Sequence, residues 1–296
     1  MIFYIAILST IIFSSILITI LKTEQKLKKA KEKKSPEYDS SDFVDITSII
    51  PDIILEIRYY STYNFVGERI EGYKEPLALM TKEAANALKE VSKYLYEKGY
   101  LIKIYDSYRP QRAVDFFVKW SKNDDIKMKK YFYPDLEKKD IIPGGYVASK
   151  SGHSKGSTVD LTLFDMNKGK EIDMGGTFDF FGEISHPDYL NITDEQKKNR
   201  QFLIDSMRKF GFEVISTEWW HFYFKNQPFP NTYFNFEVSR ESLNNNKKNE
   251  DEFIIIFIKY LLVFAFGIII GIVAFYLIKC KKNYKKNSDI KFDTLI

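Results

Sequence analysis

The chain has 296 residues, 45% of them hydrophobic and 28% charged, with a formal net charge of +4. A single core stops growing near ~250–300 residues, so this length holds one sizeable folded domain with accessory segments. Much of the positive excess lies in two lysine clusters that each follow a hydrophobic run, which excludes a nucleic-acid-binding domain by charge and points to membrane flanks.

Residues 1–21 are almost wholly apolar with no charged side chain, and read as a signal anchor or signal peptide. The run has no basic start and no small-residue end, which favours retention. Residues 22–42 form a lysine-rich polar linker, and the folded domain is expected over 43–238.

Within that domain, Thr81 to Lys98 places Leu88, Val91 and Leu95 on one helical face, with Gly99 as the stop. Tyr100 to Asp106 reads as a strand. Pro110 opens a helix through Trp120 whose apolar face is Val114, Phe117 and Val118. Ser157 to Leu163 alternates as a strand after a glycine-bearing turn. Thr193 and Gln196 make a capping-box pattern ahead of a helix that runs to Phe210 and ends at Gly211. Phe212 to Ser216 and Trp219 to Phe224 follow as strands. Strands and helices without regular βαβ alternation predict an α+β fold, a mainly antiparallel sheet with flanking helices.

Beyond the domain, 239–252 reads as a polar spacer and 253–279 as a transmembrane helix with its apolar run from Tyr260 to Ile278. At about 1.5 Å per residue this run is close to the ~30 Å of bilayer hydrocarbon, and Lys259 can snorkel at its entrance. Residues 280–296 are a basic tail. Lysines 22, 26, 28, 29, 31, 33 and 34 pull the start of the domain towards the cytoplasm, whereas those at 279, 281, 282, 285 and 286 pull the tail there. The stop-transfer pattern favours a membrane-anchored domain on the extracytoplasmic or lumenal side. There the sequon Asn191-Ile-Thr193 would be usable. Cys280 is the only cysteine, so the domain has no disulfide; its neighbourhood suits palmitoylation, but a free thiol is the simpler expectation.

Two stretches carry the chemistry. Ser151-Gly-His-Ser-Lys-Gly-Ser-Thr-Val-Asp160 and Glu218-Trp-Trp-His221 hold two of the three histidines beside two carboxylates. A hydrolytic zinc takes three protein ligands and keeps a position for water, and His153, Asp160 and His221 supply two imidazoles and a carboxylate. Glu218 is then left as the general base. Glu218 and His221 are three apart, on opposite faces of a regular strand, so a bulge or strand end is expected between them. Trp219 and Trp220 are expected to wall the site, although a pair of core aromatics beside a surface Glu and a structural His explains this motif equally well in isolation. His186 is read as structural or surface, and Asp165, Asp173 and Asp188 as solvated loop residues.

These residues resemble the zinc D-alanyl-D-alanine dipeptidases, the VanX-like enzymes. The resemblance runs from about Asp52 to Val238 through Ile57-Arg-Tyr-Tyr-Ser-Thr-Tyr-Asn-Phe-Val-Gly67, Tyr105-Asp-Ser-Tyr-Arg-Pro110, Gly145-Tyr-Val-Ala-Ser-Lys-Ser-Gly-His-Ser-Lys-Gly156, Met174-Gly-Gly-Thr-Phe-Asp-Phe-Phe181 and Glu218-Trp-Trp-His221. It implies that His153, Asp160 and His221 hold one zinc ion, that Glu218 is the base, and that Arg109 polarises the scissile carbonyl and stabilises the oxyanion. It also implies that Asp179, with Tyr59 beside it, receives the dipeptide's ammonium group, and that Ser151 contacts substrate. Terminal hydrophobic spans are a departure from the family pattern. The reading is a membrane-anchored dipeptidase acting on D-alanyl-D-alanine, with membrane lipid and a small dipeptide as partners and no nucleic acid. Its rivals are a D,D-carboxypeptidase with a more open cleft and a non-catalytic peptide-binding receptor.

Overall fold

The computed structural model describes residues 36–293 and, before them, positions 14, 15, 17, 18, 21, 22 and 25. Most of the expected first span and of the lysine-rich linker therefore lies outside the described residues. The chain divides into two units: Ser35–Asn246, which carries the folded domain, and Met1–Lys34 with Lys247–Ile296.

In the folded unit β1 (Phe43–Asp45) pairs antiparallel with β3 (Leu79–Thr81). The main sheet is built from β2 (Ile54–Leu55), β4 (Tyr100–Asp106), β5 (Thr158–Asp165), β6 (Lys170–Glu171), β7 (Phe212–Ile215) and β8 (Glu218–Phe224). Its order is β2-β4-β5-β8-β7, with β6 paired to β5. β2 runs parallel to β4 and every other pairing in this sheet is antiparallel. Flanking it are α1 (Lys82–Tyr96), α2 (Gln111–Trp120), the single turns α3 (Lys129–Phe132) and α4 (Lys138–Ile141), and α5 (Asp194–Arg208). The fold is α+β with a mainly antiparallel sheet, as the unalternating order of elements predicts.

The helices form where local chemistry directs them. α1 buries Ala84, Ala85, Leu88, Val91 and Leu95 along one stripe, each leucine or valine contributing roughly 1.5–3 kcal/mol. Gly99, at φ +88°, then reverses the chain into β4. α2 buries Ala113, Val114, Phe117 and Trp120; Val118, expected on that face, is only half-buried. Thr193 and Gln196 close the capping box of α5. β5 is buried along nearly its whole length, as a central strand covered on both faces must be. Asp165 is not a solvated loop residue: at 7% exposure it ends β5, and its Oδ1 accepts from the Asn167 and Lys168 amides. Asp173 accepts from the Gly175 amide and from Gln196.

A helix, α6 (Arg240–Asp293), starts within the segment expected as a polar spacer. Its first residue is held by Glu75, which accepts from the Arg240 amide and guanidinium. Phe257–Lys281 is the one stretch among the described residues long and apolar enough to cross a membrane, by length and composition.

Gly156 fixes the loop that precedes β5. At φ +79°, a Cβ there would lie 2.3 Å from the Phe43 ring, which is itself packed against Tyr108, Phe234 and Phe236. Gly156→Ala is expected to cost about 3 kcal/mol through left-handed strain and overpacking, read as a lowered midpoint in urea with unchanged slope.

Candidate metal centre

Sheet register assembles the site. Asp106 of β4 is paired with Asp160 of β5, and Asp160 with His221 of β8, so three adjacent strands present Asp106, Asp160 and His221 in one row. A register irregularity between Ile104 and Asp106 aims the end of β4 into this row. A second lies between β7 and β8, where Val214 faces Phe222 and Ile215 faces Glu218. That is the bulge the Glu218/His221 spacing demands, and Glu218 also begins its strand.

His153 arrives from outside the sheet, in a 3-10 turn over Gly152–Lys155. The Ser151 hydroxyl accepts from the His153 amide at 3.3 Å, and the Gly156 carbonyl accepts from the Thr81 amide. The ring is fully buried. Its Nδ1 stands 2.6 Å from the Ser107 carbonyl oxygen, which can only accept, so Nδ1–H donates and Nε2 is turned to the row.

The ligand atoms then converge. His153 Nε2 is 3.2 Å from Asp160 Oδ2 and 3.3 Å from His221 Nδ1, and His221 Nδ1 is 3.2 Å from Asp160 Oδ1. Chosen atoms of the three residues lie within 4.8 Å of one another. With the Nδ1 proton committed to Ser107, the His153 Nε2 lone pair faces a carboxylate oxygen, acceptor against acceptor, and either a further proton or a cation has to stand there. Two imidazoles and a buried carboxylate are a donor set that fits zinc. Burial works against charge on His221, but hydrogen bonds to Asp160 and Glu218 outweigh it and raise the imidazole pKa to about 9. Burial likewise opposes ionisation of Asp160, yet the charge and hydrogen bonds of His153 and His221 hold it below the usual carboxylate range.

Around this centre stand the other expected residues. Glu218 Oε2 is 3.2 Å from His221 Nδ1, and its side chain is 31% exposed, at the mouth of the cluster. Arg109 donates from Nε to Asp106 Oδ2 at 2.9 Å, lies 3.5 Å from Asp160 Oδ2, and sits 4.8 Å over the Tyr59 ring. The Tyr59 hydroxyl donates to both carboxylate oxygens of Asp179, at 2.9 and 3.1 Å. Asp179 is 7% exposed. Burial and the charge of Asp160 push its pKa well above the ordinary value, so it is a carboxyl lacking a full counter-charge. Ser151 is half-exposed beside the His153 turn. Trp220 packs edge-on against Phe178, the residue before Asp179, whereas Trp219 lies towards Arg200; both rings are buried as core aromatics. His186 is outside the cluster, and its carbonyl accepts from Arg200.

Two members escaped sequence reasoning. Asp106 is 1% exposed and receives both Arg109 and the Tyr73 hydroxyl, the latter at 2.6 Å. Its place three residues before Arg109 was the available signal, but its partner Tyr73 is 33 residues distant.

A buried His-Asp-His cluster with a carboxylate at its mouth and an arginine behind it, on an α+β sheet, defines a metallopeptidase. A family profile described as D-ala-D-ala dipeptidase matches residues 39–239. The chain is 37% identical over 198 residues to the D-alanyl-D-alanine dipeptidase of Enterococcus faecalis, spanning 67% of this chain and 98% of that protein. To the D-alanyl-D-alanine dipeptidase of Streptomyces coelicolor it is 35% identical over 201 residues, 68% of this chain and all of the other. A solved LD-carboxypeptidase, LdcB, matches 65% of this chain and 72% of its own at 20% identity, with a TM-score of 0.36. The chain belongs to the D-alanyl-D-alanine dipeptidase family.

Should these three residues hold zinc, the raised pKa of His221 means that binding is expected to displace about one proton. Between about pH 6 and 8, affinity should rise roughly tenfold per pH unit. Calorimetry of the metal-free protein in two buffers of different ionisation enthalpy reads the proton count directly; a count near zero would show that zinc binding displaces no proton from His221.

Proposed function

We propose that the chain hydrolyses D-alanyl-D-alanine, using one zinc ion held by His153 Nε2, Asp160 and His221 Nδ1. The observation that carries the reading is the convergence of these three atoms beside the Glu218 carboxylate. Zinc, when bound, supplies Lewis acidity that makes water a competent nucleophile near neutral pH. Glu218 takes the proton of the attacking water on a carboxylate oxygen and delivers it to the leaving amine. Its half-exposed position suits this role, because the group must meet both water and substrate.

Arg109 stabilises the negative charge that develops on the carbonyl oxygen. Its guanidinium is already fixed by Asp106 and by the Tyr59 ring, so little reorganisation is needed as charge develops. Asp179 and Tyr59 receive the substrate ammonium. Its charge is what the buried Asp179 carboxyl lacks, and this restricts the pocket to peptides with a free amino terminus. Ser151 contacts the substrate from the His153 turn. The domain over 43–238 is held to membrane lipid by the 253–279 segment, with its site on the extracytoplasmic or lumenal side.

The detergent-solubilised full chain is expected to release D-alanine from D-Ala-D-Ala and not to cleave L-Ala-L-Ala. Chelation should abolish turnover and added zinc restore it. Glu218→Ala should lower kcat by about 100- to 10,000-fold with zinc content unchanged. Equal cleavage of D-Ala-D-Ala and its amino-acetylated form would transfer the reading to a carboxypeptidase, and wild-type turnover by Glu218→Ala would sink the mechanism.

A further inference from the structure

Asp179 stands at φ +61°, the one non-glycine residue with a positive φ among those described. Such a backbone is retained only where its surroundings over-determine it. The loop between β6 and α5 is gripped by one face of α5, through residues spaced for a common helical side, Gln196, Asn199 and Arg200. Gln196 donates to the Asp173 carboxylate and Asn199 to the Asp173 carbonyl, each at 2.9 Å. Arg200 does more. It is 1% exposed, and its guanidinium donates to three backbone carbonyls: Met174 at 2.7 Å, Ile184 at 2.8 Å and His186 at 2.6 Å.

Those carbonyls lie on both stems of the loop, one before Asp179 and two after it. A planar, rigid donor fork therefore sets the separation of the stems, which a flexible ammonium could not do with the same definition. The tip is held independently, by Phe178 stacked on Tyr105 at 4.7 Å and by the Tyr59 hydroxyl on Asp179. With stems and tip fixed, the carboxylate has one position.

We propose that Arg200 is a positioning residue that sets the free-amine selectivity of the site by holding the Asp179 loop; this rests on Asp179 being the ammonium receptor. Loss of the fork leaves three backbone carbonyls to find other partners and the stems free to shift. A displacement of about 0.5 Å is enough to spoil a charge-assisted contact.

The test uses the full zinc-loaded chain and the ratio of kcat/KM for D-Ala-D-Ala to that for amino-acetylated D-Ala-D-Ala, a ratio independent of the active fraction. Arg200→Met is expected to lower this ratio about tenfold or more, through a raised KM for the free dipeptide, and Arg200→Lys to lower it less. If Arg200→Met does not fold, Arg200→Lys is read in the same way. Leu203→Ala removes a buried side chain from the same helix that makes none of the hydrogen bonds to the loop, and should leave the ratio at the wild-type value. A wild-type ratio in a folded, zinc-loaded Arg200 variant, or an equal fall in Leu203→Ala, overturns the positioning role alone. A wild-type protein that prefers neither substrate overturns the Asp179 reading, and this inference with it.

Discussion

A carboxylate that is 1% exposed in the middle of a six-stranded sheet is the constraint on which the site depends. Asp160 kept ionised and unpaired there would cost several kcal/mol, so its surroundings must provide positive charge, hydrogen-bond donors or a cation. His153 and His221 flank its two oxygens, and Arg109 approaches from the β4 side. The same requirement that makes Asp160 tolerable in the sheet fits it to hold a metal ion. Its position in β5, between β4 and β8, means that neither neighbouring strand can slip by a residue without removing Asp106 or His221 from the row.

From this row the remaining charges are ordered outward. Asp106 is buried, and its ionisation is opposed chiefly by burial and offset by Arg109; it also accepts the Tyr73 hydroxyl. Arg109 is thereby pinned between a carboxylate and the Tyr59 ring, whose hydroxyl reaches Asp179. A continuous path of contacts thus joins the His-Asp-His cluster to the proposed ammonium receptor. A buried network of this kind favours one arrangement, because losing a member leaves a buried charge exposed to the low dielectric.

Much of the local architecture was legible in the residues themselves. The stripe of α1, the Pro110 start of α2, the Thr193 capping box and the strand over Tyr100 to Asp106 all appear as expected, since each depends on neighbours a few residues apart. The bulge at Glu218 was legible for the same reason, because alternation alone forbids Glu218 and His221 from sharing a face. Asp165 was misread as solvated, since nothing nearby in sequence shows that the end of β5 is buried. The Trp219 and Trp220 pair gives no sign of which ring packs against Phe178.

What the sequence by itself determined is the inventory: the helices and their stops, the apolar run from Tyr260 to Ile278, and the residue types of a His-Asp-His centre with a nearby glutamate. Only the tertiary structure decided which atoms meet. His153 Nε2 and His221 Nδ1 are 68 residues apart in the chain and 3.3 Å apart in space; Arg200 reaches carbonyls 14, 16 and 26 residues away. Helix caps and periodicity are encoded by short-range sterics and hydrogen bonds. Register across β4, β5 and β8, the tautomer of His153 and the clamp on the Asp179 loop arise from burial between distant segments, where the polar groups brought together constrain the arrangement.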